Sequence, residues 1–129
     1  MKALKVAAAL AVICTANTVH ADDALRTGKA LYETTCGSCH QMDGGGVPMM
    51  QPELIESERA NGPVGGVIEM ILKGSDAIEP GMSEFSNLMP SFDYLSDNDI
   101  AVIASYVRTH FENTGGSVTA DDVRTRRPK

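Results

Sequence analysis

Cys36-Gly37-Ser38-Cys39-His40 decides how the rest of this chain is read. Two thiols two residues apart, followed at once by an imidazole, form the attachment sequence for c-type haem. The spacing suits the chemistry: Cys36 and Cys39 can add across the two vinyl groups of one porphyrin edge, while the adjacent His40 reaches the iron as an axial ligand. Gly37 and Ser38 are small and let the backbone pass close to the ring. A structural zinc site would need four ligands, and beyond the two thiols the chain downstream of residue 21 offers only His40 and His110, which are not in finger spacing. A thioredoxin-type disulfide is expected near a βαβ pattern, which is absent.

Working back from the motif, Leu25, Gly28 and Tyr32 recur at helical spacing, so a helix from about Ala24 to Thr34, capped by Asp22 or Asp23, delivers the chain into Cys36. Ahead of it stand Lys2 and Lys5, an apolar run from Val6 to Ile13, and Val19-His20-Ala21. That order reads as an export signal over residues 1–21, cut after Ala21, which places the protein in the periplasm. The run falls short of the roughly 20 apolar residues that span a bilayer, so stable membrane insertion is not expected; an uncleaved tether is the alternative. Cys14 does not read as a lipidation site, because Ile13 stands where a small residue belongs. Removing residues 1–21 takes away two of the 11 basic residues and none of the 17 acidic ones, leaving 9 against 17, or −8. Nucleic acid is excluded as a partner, since a phosphate backbone demands positive charge. An acidic surface instead keeps the protein soluble and steers it toward basic docking patches.

Working forward, residues 41–61 contain Gly44, Gly45, Gly46, Pro48 and Pro52 and read as a long loop. Pro63 suits the first position of a helix whose buried stripe is Val64, Val67, Ile68, Ile71 and Leu72, closed by Lys73 and Gly74. A second loop, Ser75 to Tyr94, carries Met82 and Met89. Ser96 and Asp99 form a capping box, Leu95 and Ile100 a staple, and Ile100, Ile103, Val107 and Phe111 the apolar face of a helix from Asp97 to about Phe111. No stretch alternates with period two, so the fold class is all-α, three principal helices joined by long loops. The domain spans residues 22–112. Residues 113–129 read as a solvated C-terminal tail with one helical turn near Ala120 to Val123, capped by Thr119. With no Trp and 5 % aromatic residues, about a hundred residues bury only a modest core, which a large apolar cofactor would help to fill.

Haem iron needs a second axial ligand, and Met89, in Leu88-Met89-Pro90-Ser91-Phe92, is the leading candidate. Thioether ligation opposite His raises the reduction potential, as suits an electron carrier. Methionine is more often core filler than ligand. Met70 belongs to a helix, Met42 lies too close to His40, and Met49 and Met50 lie in the first loop. Met82, in the same loop as Met89, is the serious rival.

Cys36 to His40, Met89-Pro90-x-Phe92, and Leu95-Ser96-Asp97 leading into a helix ending Tyr106-Val107-Arg108 resemble a class I (monohaem) cytochrome c from about Asp22 to Phe111. The resemblance implies one covalent haem c wrapped by the helices and loops. Pro52 would offer its carbonyl to the ring N–H of His40, and Gly28 and Tyr32 would pack across the last helix near Tyr106. Asn113-x-Gly115, Val118-Thr119 and Asp122-Val123 are similar to the tail of cytochrome domains that serve quinoprotein alcohol dehydrogenases. The acidic stretch from Gln51 to Asn61 departs from the family's pattern and leaves the docking face open.

The function implied is a monomeric, periplasmic one-electron carrier, not an enzyme by itself. A dehydrogenase or quinol-oxidising complex would be the donor and a terminal oxidase or reductase the acceptor. Two alternatives follow: a dedicated cytochrome subunit of a quinoprotein dehydrogenase, and a haem enzyme or sensor with an open sixth site. The second would want a polar distal group, which His110, expected to face solvent on the last helix, does not supply.

Overall fold

The computed structural model describes the backbone of residues 18–128, with side chains from Asp22 onward. Apart from the backbone of residues 18–21, the expected export signal lies outside the described residues. Among those residues no helix is long and apolar enough to cross a membrane. The described residues form six α-helices: α1 (Thr18–Thr35), α2 (Gly37–His40), α3 (Glu58–Asn61), α4 (Val64–Lys73), α5 (Asp97–Thr109) and α6 (Ala120–Arg124). A 3-10 turn, Gly74–Ala77, follows α4, and the described residues contain no strand beyond one isolated bridge between Val47 and Gln51. The fold is all-α, as the absence of period-two alternation indicates.

The core is built on α5, against which α1, α4 and α6 pack. Tyr32, Ile68, Ile100, Ile103, Ala104 and Leu72 are buried, as are Val67, Ile71 and Val107. Helix α1 crosses α5 at Gly28, where a Cβ would stand 2.3 Å from the Val102 carbonyl oxygen and 3.1 Å from Tyr106 Cβ. Just past this crossing Tyr32 packs its ring against Tyr106 (5.5 Å between centroids) and Phe111 (5.1 Å). Gly28→Ala is therefore expected to lower stability by about 1–3 kcal/mol through overpacking, although alanine in an ordinary helix would gain about 1 kcal/mol over glycine. The denaturation midpoint of the holoprotein checks this; an unchanged or raised midpoint would show that α1 and α5 can separate without cost.

Local signals place most helix ends. Ser96 Oγ accepts from the Asp99 amide at 3.1 Å and opens α5. Gly74, at φ +60, closes α4 with its amide donating to the Met70 carbonyl.

Five expectations are corrected. Asp22 and Asp23 lie inside α1 rather than capping it, because the described helix already runs from Thr18. The first loop does not continue unbroken to Asn61: Ser57 Oγ accepts from the Ala60 amide and caps the short α3. Helix α5 stops at Thr109, because Phe111 and Glu112 adopt left-handed backbone (φ 55 and 62) that turns the Phe111 ring onto Tyr106. His110 sits beyond that helix at its C-cap, half-buried and stacked on Tyr106 at 4.1 Å, rather than facing solvent from within it.

The fifth correction concerns the tail. Val118 and Val123 are buried, the latter completely, so residues 113–128 are not simply solvated. Thr119 and Asp122 form a full capping box that starts α6, and the buried Ser105 hydroxyl binds both the amide (2.8 Å) and the carbonyl (3.2 Å) of Val118. The physical reason is the apolar pair five residues apart in a stretch that otherwise looks hydrophilic. It gives the segment enough apolar area to hold it on α5.

Candidate haem-binding site

Helix α1 runs directly into the cysteine motif: the Cys36 amide donates to Tyr32 O (2.7 Å) and the His40 amide to Cys36 O (2.9 Å), so Gly37–His40 is wound as a single turn, α2. Both thiols are free; Cys36 is half-buried and Cys39 exposed. Burial pushes the Cys36 thiol up to about 11, with neighbouring Cys39 adding to the rise. A redox-active dithiol needs the opposite, a lowered thiol pKa, so the environment speaks against thioredoxin-type exchange. Among the described residues no three His, Cys, Asp or Glu side chains gather to hold a metal ion.

The Tyr32 hydroxyl, buried and pushed above the ordinary tyrosine range by that burial, donates to the Gln41 carbonyl at 2.6 Å. It fixes the residue that follows His40, where the chain leaves α2 with φ 65 at Gln41. The chain then returns so that His40 Nδ1 lies 3.0 Å from the Pro52 carbonyl oxygen. A carbonyl can only accept, so Nδ1 carries the proton and Nε2 is left with the lone pair that a metal needs. The bridge between Val47 and Gln51 (3.0 and 2.9 Å) holds Pro52 in place. Gly46, at φ +62, passes so near that a Cβ would lie 2.6 Å from the Pro52 carbonyl.

Met89 and Met82 are treated differently by the fold. Met89 is half-buried, and Ser75 clamps its backbone from both sides: the Ser75 hydroxyl accepts from the Met89 amide (2.8 Å) and the Ser75 amide donates to the Met89 carbonyl (2.9 Å). Two residues on, Ser91 Oγ donates to Leu72 O (2.6 Å) and the Phe92 amide to Ile71 O (2.9 Å), tying the run to the end of α4. Met82 is 70 % exposed, and its backbone amide makes one local bond, to Glu79 O. Met42, Met49 and Met50 are also exposed, and Met70 lies in α4. The two long loops meet through the Ser86 amide on Met49 O (2.9 Å) and the Asn87 amide on Met50 O (3.2 Å), which joins the His40–Pro52 side to the Met89 side.

The donor set therefore fits a haem held through two thioethers: two free thiols one turn apart, an imidazole in the required tautomer, and a thioether on an anchored loop. Sequence reasoning missed what supports it. Gly74 read only as a helix end, Ser75 as the start of a loop, Tyr32 as a ring packed on the last helix, and Arg127 as part of a solvated tail. Arg108 is buried and donates to the carbonyls of Gly62 (3.0 Å), Gly116 (3.2 Å) and Gly115. Its signal was its place at the end of the apolar helix, where a fully solvated cation was the ordinary reading.

The sequence model of the cytochrome c family matches residues 25–111. The chain is 38 % identical over 106 residues to the fructose dehydrogenase cytochrome subunit of Gluconobacter japonicus, a match covering 75 % of this chain and 21 % of that protein. It is 32 % identical over 85 residues to cytochrome c6 of Cyanidium caldarium, covering 64 % of this chain and 68 % of the relative. The chain thus spans about a fifth of the first relative and about two thirds of the second. It belongs to the class I cytochrome c family, whose cofactor is a single covalently bound c-type haem.

Proposed function

We propose that this chain is a periplasmic one-electron carrier whose haem is held through Cys36 and Cys39, with His40 and Met89 as axial ligands. The observation that carries this reading is the double hydrogen bond of Ser75 to the Met89 backbone: a half-buried thioether on an anchored loop is what a six-coordinate site requires. When bound, the haem supplies reversible one-electron chemistry at iron. The protein's own share is positional. Pro52 holds the His40 ring and its tautomer, raising the basicity of the other nitrogen; the α4 end and Ser75 hold Met89, whose thioether in the sixth position would keep substrates off the iron. The chain therefore works as a carrier and not as an enzyme by itself. Electrons would arrive from a dehydrogenase or quinol-oxidising complex and leave to a terminal oxidase or reductase.

Similarity to a dehydrogenase cytochrome subunit favours a second reading, a dedicated subunit of a dehydrogenase. Co-purification with a larger flavin or quinone enzyme from the native host would select it over the free carrier.

The test is the visible and near-infrared spectrum of the protein matured in a haem-attaching periplasm. Ferric protein should show the weak charge-transfer band of sulfur-to-iron ligation; Met89→Ala should abolish the band and Met82→Ala should leave it. A band retained in Met89→Ala would move the sulfur ligand to another methionine, whereas a wild-type protein that lacks the band and whose ferrous form binds carbon monoxide readily would move the reading to an open-site haem enzyme or sensor.

A further inference from the structure

Arg127 lies outside the stretch that matches the cytochrome c family, yet its guanidinium reaches the segment that follows Met89. Nε donates to Asp97 Oδ1 (2.5 Å), Nη1 to the Asp93 carbonyl (2.6 Å) and Nη2 to the Leu95 carbonyl (2.5 Å). All three donor positions of one planar fork are used, on three acceptors within five residues, and both side chains of the ion pair are about three-quarters shielded (28 % and 27 % exposed). The segment 93–97 joins the Met89 run to α5. Its other end is already anchored, by Ser75 at Met89 and by Leu72 and Ile71 at Ser91 and Phe92. Arg127 is itself delivered by α6, which the fully buried Val123 holds against the core.

We propose that the C-terminal segment acts as a strap, with Arg127 a positioning residue that holds the axial-methionine loop closed from the side opposite Ser75. The inference rests on Met89 being the axial ligand. A loop pinned at both ends has few conformations in which the thioether leaves the iron; a loop pinned at one end has many. An arginine that merely finished the chain would satisfy one carboxylate. This one also spends two donors on loop carbonyls that bring no charge, and only a fixed backbone path rewards that. Lysine could replace the ion pair but not the fork.

Imidazole added to the ferric holoprotein reports the loop directly, because it binds iron only in molecules whose thioether has left. Arg127→Met should tighten the apparent imidazole affinity by about tenfold, in proportion to the rise in the methionine-off population, and weaken the sulfur-to-iron band. Arg127→Lys should fall between it and wild type. Arg124→Ala, which removes an exposed arginine at the end of α6 whose side chain pairs with Asp121, should leave both readouts unchanged. If Arg127→Met lowers the melting temperature while imidazole affinity stays at the wild-type value, the strap idea is overturned and Arg127 is a global stabiliser. Should Arg127→Met fail to accumulate, Arg127→Lys and Asp97→Asn carry the same comparison. Met89→Ala separates the two levels: a band that survives it overturns the ligand assignment and the strap with it, whereas a band lost there beside unchanged imidazole affinity in Arg127→Met and Arg127→Lys overturns the strap alone.

Discussion

Gly74→Ala is expected to release Met89 from the iron while leaving the haem covalently attached. Gly74 sits at φ +60 and ψ −141, a region that essentially only glycine visits and that costs another residue about 1–3 kcal/mol. A Cβ there would stand 2.2 Å from the Met89 carbonyl oxygen and 2.6 Å from the carbonyl of Pro90. Both obstacles are backbone, so no rotamer change can relieve the overlap. Rotating the residue itself would sacrifice its amide bond to Met70 O, which closes α4. The softer response is for the 89–90 segment to move outward, and that breaks the Ser75 clamp as well. Loss of the sulfur-to-iron band, carbon monoxide binding by the ferrous protein and a stability loss of roughly 2–5 kcal/mol, from overpacking added to backbone strain, are the expected readouts. Covalent haem should remain at the wild-type level, since Cys36 and Cys39 lie at the start of and within α2, a separate part of the chain. An alanine variant with an intact band would show that the Met89 run can shift without moving its thioether.

That glycine illustrates which parts of the protein could be read in advance. Chemistry tied to a residue type at a fixed spacing is local, so the cysteine motif and the capping residues Ser96 and Thr119 carried their meaning in the chain. Buried stripes are local too, and Val67, Ile68, Ile71, Leu72, Ile100, Ile103 and Val107 are all buried as their spacing requires. The Pro52 carbonyl on His40, implied by resemblance, is present at 3.0 Å. Illegible were polar side chains whose partners are distant backbone groups. Ser75 meets Met89 fourteen residues on, Arg127 meets residues thirty or more back, and Asn113 bonds across more than fifty. Such bonds have no periodicity, because a carbonyl is available at every position and only the folded path selects one. The tail was misread for the same reason: Val118 and Val123 do not form a stripe by themselves, and become a face only once α5 is beside them.

Asn113→Ala should be the most destabilising single change away from the haem. The side chain is buried, 5 % exposed, and all its hydrogen-bonding capacity is used. Its Nδ2 group donates to Leu54 O (2.8 Å) and Val107 O (2.9 Å). Its Oδ1 accepts from the Ser57 amide (2.9 Å) and from Asn61 Nδ2 (3.0 Å). One amide thus joins the end of α5, the haem-side loop and the start of α3. Alanine leaves three groups without partners, the Ser57 amide and the Leu54 and Val107 carbonyls, while Asn61 Nδ2 keeps the Ser57 carbonyl; at about 1–3 kcal/mol for each group that stays unsatisfied, with water recovering the outer ones, the net loss is about 4 kcal/mol. Against the 5–15 kcal/mol typical of a whole domain, that is enough to bring the apoprotein close to unfolding and to lower haem-loaded yield. Asn113→Asp refines the test. A carboxylate keeps the acceptors but turns oxygens toward two carbonyls that need donors, so the native state favours its protonated form and raises its pKa. The stability so recovered is present below the unfolded-state carboxyl pKa and is lost as pH rises through the raised native value. Urea denaturation of the holoprotein at neutral and mildly acidic pH reads both variants. A loss under about 1 kcal/mol for alanine, with no pH trend for aspartate, would mean that water enters this junction freely, and the segment after α5 would then be the solvated terminus that its composition suggests.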